Sequence, residues 1–180
     1  MKNARGFTIV ELLIVIVVIG ILAVIAISTF GSAQVRAENT KTAEAVKSYI
    51  KAIQAYKADN GTYPIAFNTW PCIGANAIND CARISGATTC FGAGGTGVNA
   101  AFDALVQPYL GSTKPEISNQ QMNCGGSMFA AGYYESTATG TSGQITFYQK
   151  TNVPCSKLGG VSDTGRAQSD DTTVCYLYFN

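Results

Sequence analysis

The sequence predicts an α+β chain: one long N-terminal α-helix, transmembrane through its first half, packed on a small antiparallel β-sheet head stapled by disulfides. Three observations predict it. From Leu12 to Val35 there is no charged side chain. From Gln34 onward apolar residues recur at helical spacing. All six cysteines, at 72, 81, 90, 124, 155 and 175, lie in the Gly-, Thr-, Ser- and Asn-rich part that follows.

The charge-free stretch, as a helix rising about 1.5 Å per residue, would extend about 36 Å against a hydrocarbon core of about 30 Å. In lipid every backbone N–H and C=O must be satisfied within the segment, so helix is forced even though Val and Ile favour strands. Lys2 and Arg5 precede the run and favour a cytoplasmic N-terminus, which places everything after Arg36 outside. A secretory signal peptide is the competing reading, but its apolar region would be shorter and would end at a small-residue cleavage site. Here the run reaches Phe30 and flows into a helical pattern, so cleavage is expected before it. Glu11 stands near the start of this apolar run, where an unpaired carboxylate is costly. It reads as a socket for a positive charge on another copy of the chain.

Gly6-Phe7-Thr8-Ile9-Val10-Glu11-Leu12-Leu13, with its basic leader and following apolar helix, resembles the class III signal of type IV prepilins and pseudopilins. The resemblance implies that residues 1–6 are a leader, removed by a prepilin peptidase that cleaves between Gly6 and Phe7 and methylates the new Phe7 amine. It also implies that Glu11 pairs with the Phe7 amine of a neighbouring subunit. Such a pair would offset the cost of a carboxylate in an apolar filament core and fix the axial register between subunits. Residues 7–34 would then serve membrane and filament core, 35–60 would be the amphipathic half of the helix, and 61–180 the extracytoplasmic head. Gly20 resembles a glycine of the family's locally unwound segment. The proline that accompanies it in many type IVa pilins is replaced by Ser28, followed by Thr29, Gly31 and Ser32, so any melting would rest on weak helix formers.

In the second half of the helix Val46, Ile50 and Ile53, with Tyr49 and Tyr56 beside them, form the apolar face. Glu38, Lys41, Lys47, Lys51 and Gln54 populate the rest. A single helix from Phe7 to about Ala58 would be on the order of 80 Å long. Asp59-Asn60-Gly61 ends it and Pro64 blocks resumption. Asp59 to Pro64 also resembles the turn after the long helix of many pilins and pseudopilins. The Asn60-Gly61-Thr62 sequon reads as cap and turn chemistry.

In the head, Phe102, Leu105, Val106 and Tyr109 predict a helix from Val98 to Leu110, with Gly111 after it. Met128 to Tyr134 and Gln144 to Gln149 read as a hairpin, to which a strand from Thr173 to Phe179 adds, the sheet packing on the Val46, Ile50, Ile53 face. An even cysteine count outside the membrane reads as disulfides, with fifteen connectivities open for three bridges. The preferred set is Cys72 with Cys81 and Cys90 with Cys124, which rest on sequence proximity alone and could be exchanged, and Cys155 with Cys175, the latter in a terminal strand by residue type. The last would close a loop of about twenty residues, worth roughly 3 kcal/mol. It resembles the disulfide-bound C-terminal loop of type IV pilins, here about 155–175, a surface for subunit contacts or adhesion.

Other chemistry is poorly supported. The chain has no histidine and no Cys-x-x-Cys pair, which disfavours zinc. Asp163, Asp170 and Asp171 are weak calcium candidates whose spacing matches no loop motif, and they read as solvated surface. Gly92 to Gly97 lacks the ending of a phosphate-binding loop. No Ser-Lys or paired-carboxylate arrangement points to an enzyme, and no cofactor is implied. Trp70, Tyr176, Tyr178 and Phe179 read as core or subunit interface ahead of a receptor or sugar-binding surface. Without Lys2 and Arg5, the twelve basic residues fall to ten against eleven acidic, so no net field draws nucleic acid; a local patch of Lys47, Lys51 and Lys57 remains.

The expectation is a structural subunit of a type IV pilus, a helical homo-oligomer drawn from the cytoplasmic membrane and supporting surface attachment, twitching motility or DNA uptake. Its partners would be other copies of itself, the prepilin peptidase, the pilus assembly platform and the membrane before assembly, with a host or surface receptor beyond them; DNA is not favoured. A pseudopilin of a type II secretion or competence machine is the alternative within the family. A singly membrane-anchored envelope binding protein or enzyme is the alternative outside it.

Overall fold

The computed structural model describes residues 7–74, 82–85, 98–117, 120–123, 127–130, 132–151, 153–155, 158, 163–169 and 171–180. Two compact units divide the chain, one ending at Ala37 and the other running Glu38–Asn180. Helix α1, Ile9–Asn60, contributes residues to both.

Within the first unit α1 is helical without interruption through Gly20, Ser28, Gly31 and Ser32. Thr29 Oγ1 donates to the Ile25 and Ala26 carbonyls at 3.1 and 3.0 Å, and Ser32 Oγ donates to Thr29 O at 3.0 Å. These two hydroxyls fold back on their own helix and are satisfied locally. The helix is long and apolar enough to cross a membrane.

At the other end of α1, Asp59 and Asn60 still belong to the last turn. Gly61 adopts φ 77° and its N–H donates to Lys57 O at 2.8 Å, closing the helix in the left-handed conformation that glycine adopts without strain. Asn60 Nδ2 donates to Tyr56 O at 2.9 Å.

The second unit holds two antiparallel sheets. The larger comprises β1 Cys72–Ile73, β5 Gly132–Ser136, β6 Gly143–Lys150, β7 Asp163–Ser169 and β8 Thr172–Phe179, in the order β1-β5-β6-β8-β7. The smaller comprises β2 Ala82–Ser85, β3 Gln121–Asn123 and β4 Ser127–Ala130, in the order β2-β4-β3. Two sequence expectations are corrected here. The run from Met128 to Tyr134 is not one strand, since residues 128–130 pair in the small sheet and only 132–136 form the hairpin with β6. The second strand opens at Gly132, where a Cβ would lie 2.8 Å from Thr146 O, so the close approach of β5 to β6 there admits only glycine. The stretch between Cys155 and Cys175 is not all loop either: β7 lies within it and pairs with β8 from Asp163↔Tyr178 to Ser169↔Thr172.

Helix α2, Ala100–Leu110, starts two residues later than expected because Asn99 is its cap, its Oδ1 accepting Phe102 N–H at 3.0 Å. Phe102 and Val106 of α2 join Val46, Tyr49, Ile50 and Ile53 of α1 and Ile145, Phe147, Leu177 and Phe179 of the sheet in one buried cluster. Each such side chain contributes roughly 1.5–3 kcal/mol of burial. The Tyr49 hydroxyl accepts the Gly74 N–H at 2.9 Å, so the buried phenol keeps a partner.

Candidate functional site

The first unit offers a surface that a soluble chain would hide. From Ile9 to Ile27 its large apolar side chains are between 48% exposed, at Val15 and Val18, and 84% exposed, at Ile9. An exposed apolar stretch of this length marks a membrane or protein interaction surface. Helix is what these residues can form there, and helix presents them around the whole circumference.

Glu11 sits in the first turn of this surface. Its Oε2 accepts both Thr8 N–H and Thr8 Oγ1–H at 2.8 Å, while Glu11 N–H donates to Thr8 Oγ1 at 3.3 Å. Leu12 N–H reaches Thr8 O at 3.3 Å. The exchange is a capping box: Thr8 satisfies a donor at the helix start and Glu11 reaches back to satisfy Thr8. Both Thr8 bonds converge on one carboxylate oxygen. Thr8 is the residue that the sequence reading passed over, although Thr-x-x-Glu before an apolar run is the signal that finds it. Phe7, the residue before the cap, is 78% exposed; Gly6 lies outside the described residues.

In the second unit Cys155 and Cys175 are bridged, with Cα atoms 5.6 Å apart. Cys175 is fully buried in β8, so the bridge ties the 153–155 segment to the sheet interior. Cys72 is also disulfide-bonded, whereas Cys81, Cys90 and Cys124 lie outside the described residues. The other singled-out residues scatter. Asp163 stands on β7, Asp171 accepts Thr172 Oγ1–H at 3.4 Å, Asp170 is outside the described residues, and no metal-holding cluster occurs among the described ones. Gly92 to Gly97 also lie outside the described residues. Phe179 is core, Tyr176 and Tyr178 are half-buried, and the Trp70 indole donates to Glu135 Oε2 at 2.7 Å. Within the lysine patch Lys47 pairs with Glu44, and Lys57 keeps its charge but lies 3.9 Å over the Tyr63 ring.

Residues 1–27 match the family described as the prokaryotic N-terminal methylation motif. The chain is 41% identical over 63 residues to the type IV wide pilus major component PilA4 of Thermus thermophilus, covering 35% of this chain and 48% of that one. It is 35% identical over 60 residues to the type II secretion system core protein G of Pectobacterium carotovorum, covering 33% and 38%. Against the Pseudomonas aeruginosa protein of that name it is 36% identical over 63 residues, covering 35% and 44%. The chain therefore matches about half or less of the length of these curated relatives, and it is homologous to both kinds. No solved structure matches it significantly.

Proposed function

We propose that this chain, homologous to a type IV pilus component and to type II secretion core proteins, is a structural filament subunit, a type IV pilin. The observation that carries the reading is the exposed apolar helix with a single carboxylate, Glu11, at its start, in a chain bearing the N-terminal methylation motif. Before assembly the helix would hold the subunit in the cytoplasmic membrane, its N-terminus cytoplasmic and its head outside. On assembly the same apolar surface would pack against helices of other copies, exchanging lipid contacts for protein contacts. Glu11 would meet the Phe7 amine exposed by cleavage after Gly6, so that no carboxylate enters the core alone. The role is structural rather than catalytic, and its partners are the prepilin peptidase, an assembly platform and copies of itself.

A second reading, a pseudopilin of a secretion or competence machine, is supported by the similarity to type II secretion core protein G. The pilin is preferred because a head held by disulfides suits exposure on a long surface filament. Mass spectrometry of filaments sheared from the cell surface tests both. A chain starting at N-methylated Phe7 in that fraction supports the pilin. Its confinement to the envelope, processed but never sheared, supports the pseudopilin, and an unprocessed N-terminus at Met1 or Lys2 defeats both.

A further inference from the structure

A cleft of about 330 Å³ opens in the second unit where the turn after α1 meets the end of the β5–β6 hairpin and the last residues of β8. Phe67, Asn68 and Trp70 line it from the turn, and Glu135, Gln144 and Tyr178 from the sheet. Its volume is at the small end of the range of ligand pockets, about 300–1,000 Å³, the size for a monosaccharide or disaccharide.

The turn is held in place at a cost. Asn68 and Trp70 have φ 57° and 36°, and for a bulky residue such as Trp70 a positive φ is a strained conformation. Strain of this kind persists only where surrounding contacts over-determine it. Here Tyr134 Oη–H donates to Pro64 O at 3.1 Å, Ala66 N–H donates to Ser136 Oγ at 2.7 Å, and Trp70 Nε1–H donates to Glu135 Oε2 at 2.7 Å. The last bond uses the one polar atom of the indole. What Trp70 offers a ligand is therefore its apolar ring, fixed by a carboxylate that also lines the cleft.

The lining selects by chemistry. It contains no Lys or Arg, so phosphate, sulfate and carboxylate ligands have no counter-charge. Planar polar groups on Glu135, Gln144 and Asn68 stand among the aromatic rings, which suits neither a purely apolar ligand nor a bare ion. A pyranose matches the combination, with C–H faces that lie on aromatic rings and a rim of hydroxyls that both donate and accept. We propose that this cleft binds a neutral saccharide, with Phe67, Trp70 and Tyr178 contacting the ring and Glu135, Gln144 and Asn68 hydrogen-bonding its hydroxyls. The inference rests on the second unit and does not depend on the filament reading.

Trp70 is the chain's single tryptophan, so its emission reports the cleft directly. The full chain, held in a detergent without a sugar headgroup, is titrated with the methyl glycosides of glucose, galactose, mannose and N-acetylglucosamine, with lactose, and with lysine methyl ester and inorganic phosphate. The expected result is a saturable change in emission with at least one neutral sugar, with a midpoint of about 0.1–10 mM. Phe67 is 50% exposed, so Phe67→Ala opens no core, and it or Gln144→Ala should weaken the sugar response about tenfold, roughly 1.4 kcal/mol. Glu135→Gln keeps an acceptor for the indole but replaces the carboxylate that meets the sugar hydroxyls, so it too should weaken the sugar response. A response to lysine methyl ester that Glu135→Gln abolishes would show a cation site and overturn the proposal. So would silence with every sugar up to about 50 mM, a sugar response unaffected by both Phe67→Ala and Gln144→Ala, or an emission change that appears only when copies assemble.

Discussion

The Asn39 carboxamide bonds the Lys150 backbone twice, Nδ2 donating to the carbonyl at 2.8 Å and Oδ1 accepting the N–H at 3.0 Å. Gln120 Nε2 adds a bond to the same Oδ1 at 3.2 Å, and Gln149 Nε2 donates to Asn39 O at 3.4 Å. An amide has the same donor and acceptor spacing as a strand backbone, so a helix residue here completes the end of β6 as a neighbouring strand would. Asn39 is nearly buried, which raises the cost of disturbing it.

Asn39→Ala removes both bonds to Lys150 and should destabilise the Glu38–Asn180 unit by roughly 2 kcal/mol, at about 1 kcal/mol per net hydrogen bond. Asn39→Asp is the sharper variant. A carboxylate can accept the Lys150 N–H but cannot donate to its carbonyl, so at neutral pH Asn39→Asp should be at least as damaging as Asn39→Ala. Protonation restores a donor, which means the aspartate variant should regain stability relative to the alanine variant as pH falls through the carboxylate range. Denaturant unfolding of the three chains at pH 7 and pH 4 checks this; equal stability of Asn39→Asp and the original chain at pH 7 would contradict it.

Asn39 was not legible in the sequence because its partner is 111 positions away and nothing local marks it. The long helix was legible, since a charge-free run, helical spacing through Ile53 and Asp59-Asn60-Gly61 all point one way. Strand β8 was legible from Val174, Tyr176 and Phe179, which suit a half-buried pleat. Its neighbour β7 was not. Asp163-Thr164-Gly165-Arg166-Ala167-Gln168-Ser169 has no apolar alternation because it is an edge strand, where polar residues discourage pairing with other chains. Gly6, Phe7 and Glu11 were singled out from the motif as candidates for processing and assembly, whereas Thr8, whose bonds cap the helix at Glu11, was passed over because it adds no charge or bulk to the pattern.

The Cys155–Cys175 bridge spans 20 residues and ends on an interior strand, since β8 lies between β6 and the edge strand β7. Cys155→Ala should lower stability by roughly 3 kcal/mol without affecting membrane insertion, which depends only on the apolar run. Reducing the unmutated chain should cost more than the variant does, because Cys72 is bridged as well. Unfolding midpoints with and without reductant, together with non-reducing peptide maps, measure both. A reduced chain as stable as the oxidised one would refute the stapled head.

Buried phenols make the head sensitive to alkali. Burial pushes Tyr49 up to about 12, offset only in part by its bond with Gly74, and burial drives Tyr134 and Tyr148 higher still. A phenol titrates near 10 when unfolded, so each of these contributes its full stability below pH 10 and loses it as pH rises toward the folded value. Between pH 10 and about 12 the unfolded chain binds fewer protons, and stability should fall by roughly 1.4 kcal/mol per pH unit for each phenol. Unfolding curves from pH 8 to 11.5 should be flat and then fall. Tyr49→Phe should be less stable at pH 8, where Gly74 loses its acceptor, yet should show the shallower decline.

The observed cap and the proposed subunit contact of Glu11 can be separated by substitution. In the single chain its Oε2 serves the Thr8 cap, a local role that needs an acceptor and not a charge. In a filament it would meet the Phe7 amine, a role that needs the charge to offset burial in an apolar core. Glu11→Gln keeps an oxygen for Thr8 and loses only the charge, whereas Glu11→Ala loses both. Each should be processed and inserted normally, because removing a charge from an apolar helix makes insertion no harder. If the charge sets subunit register, both should give few or no homopolymeric filaments, counted in sheared preparations against equal amounts of processed subunit. If helix capping is what matters, Gln should assemble like the original chain and Ala alone should fail. Normal filament yield from Glu11→Ala would show that neither role is needed, and the pairing with Phe7 would have to be abandoned.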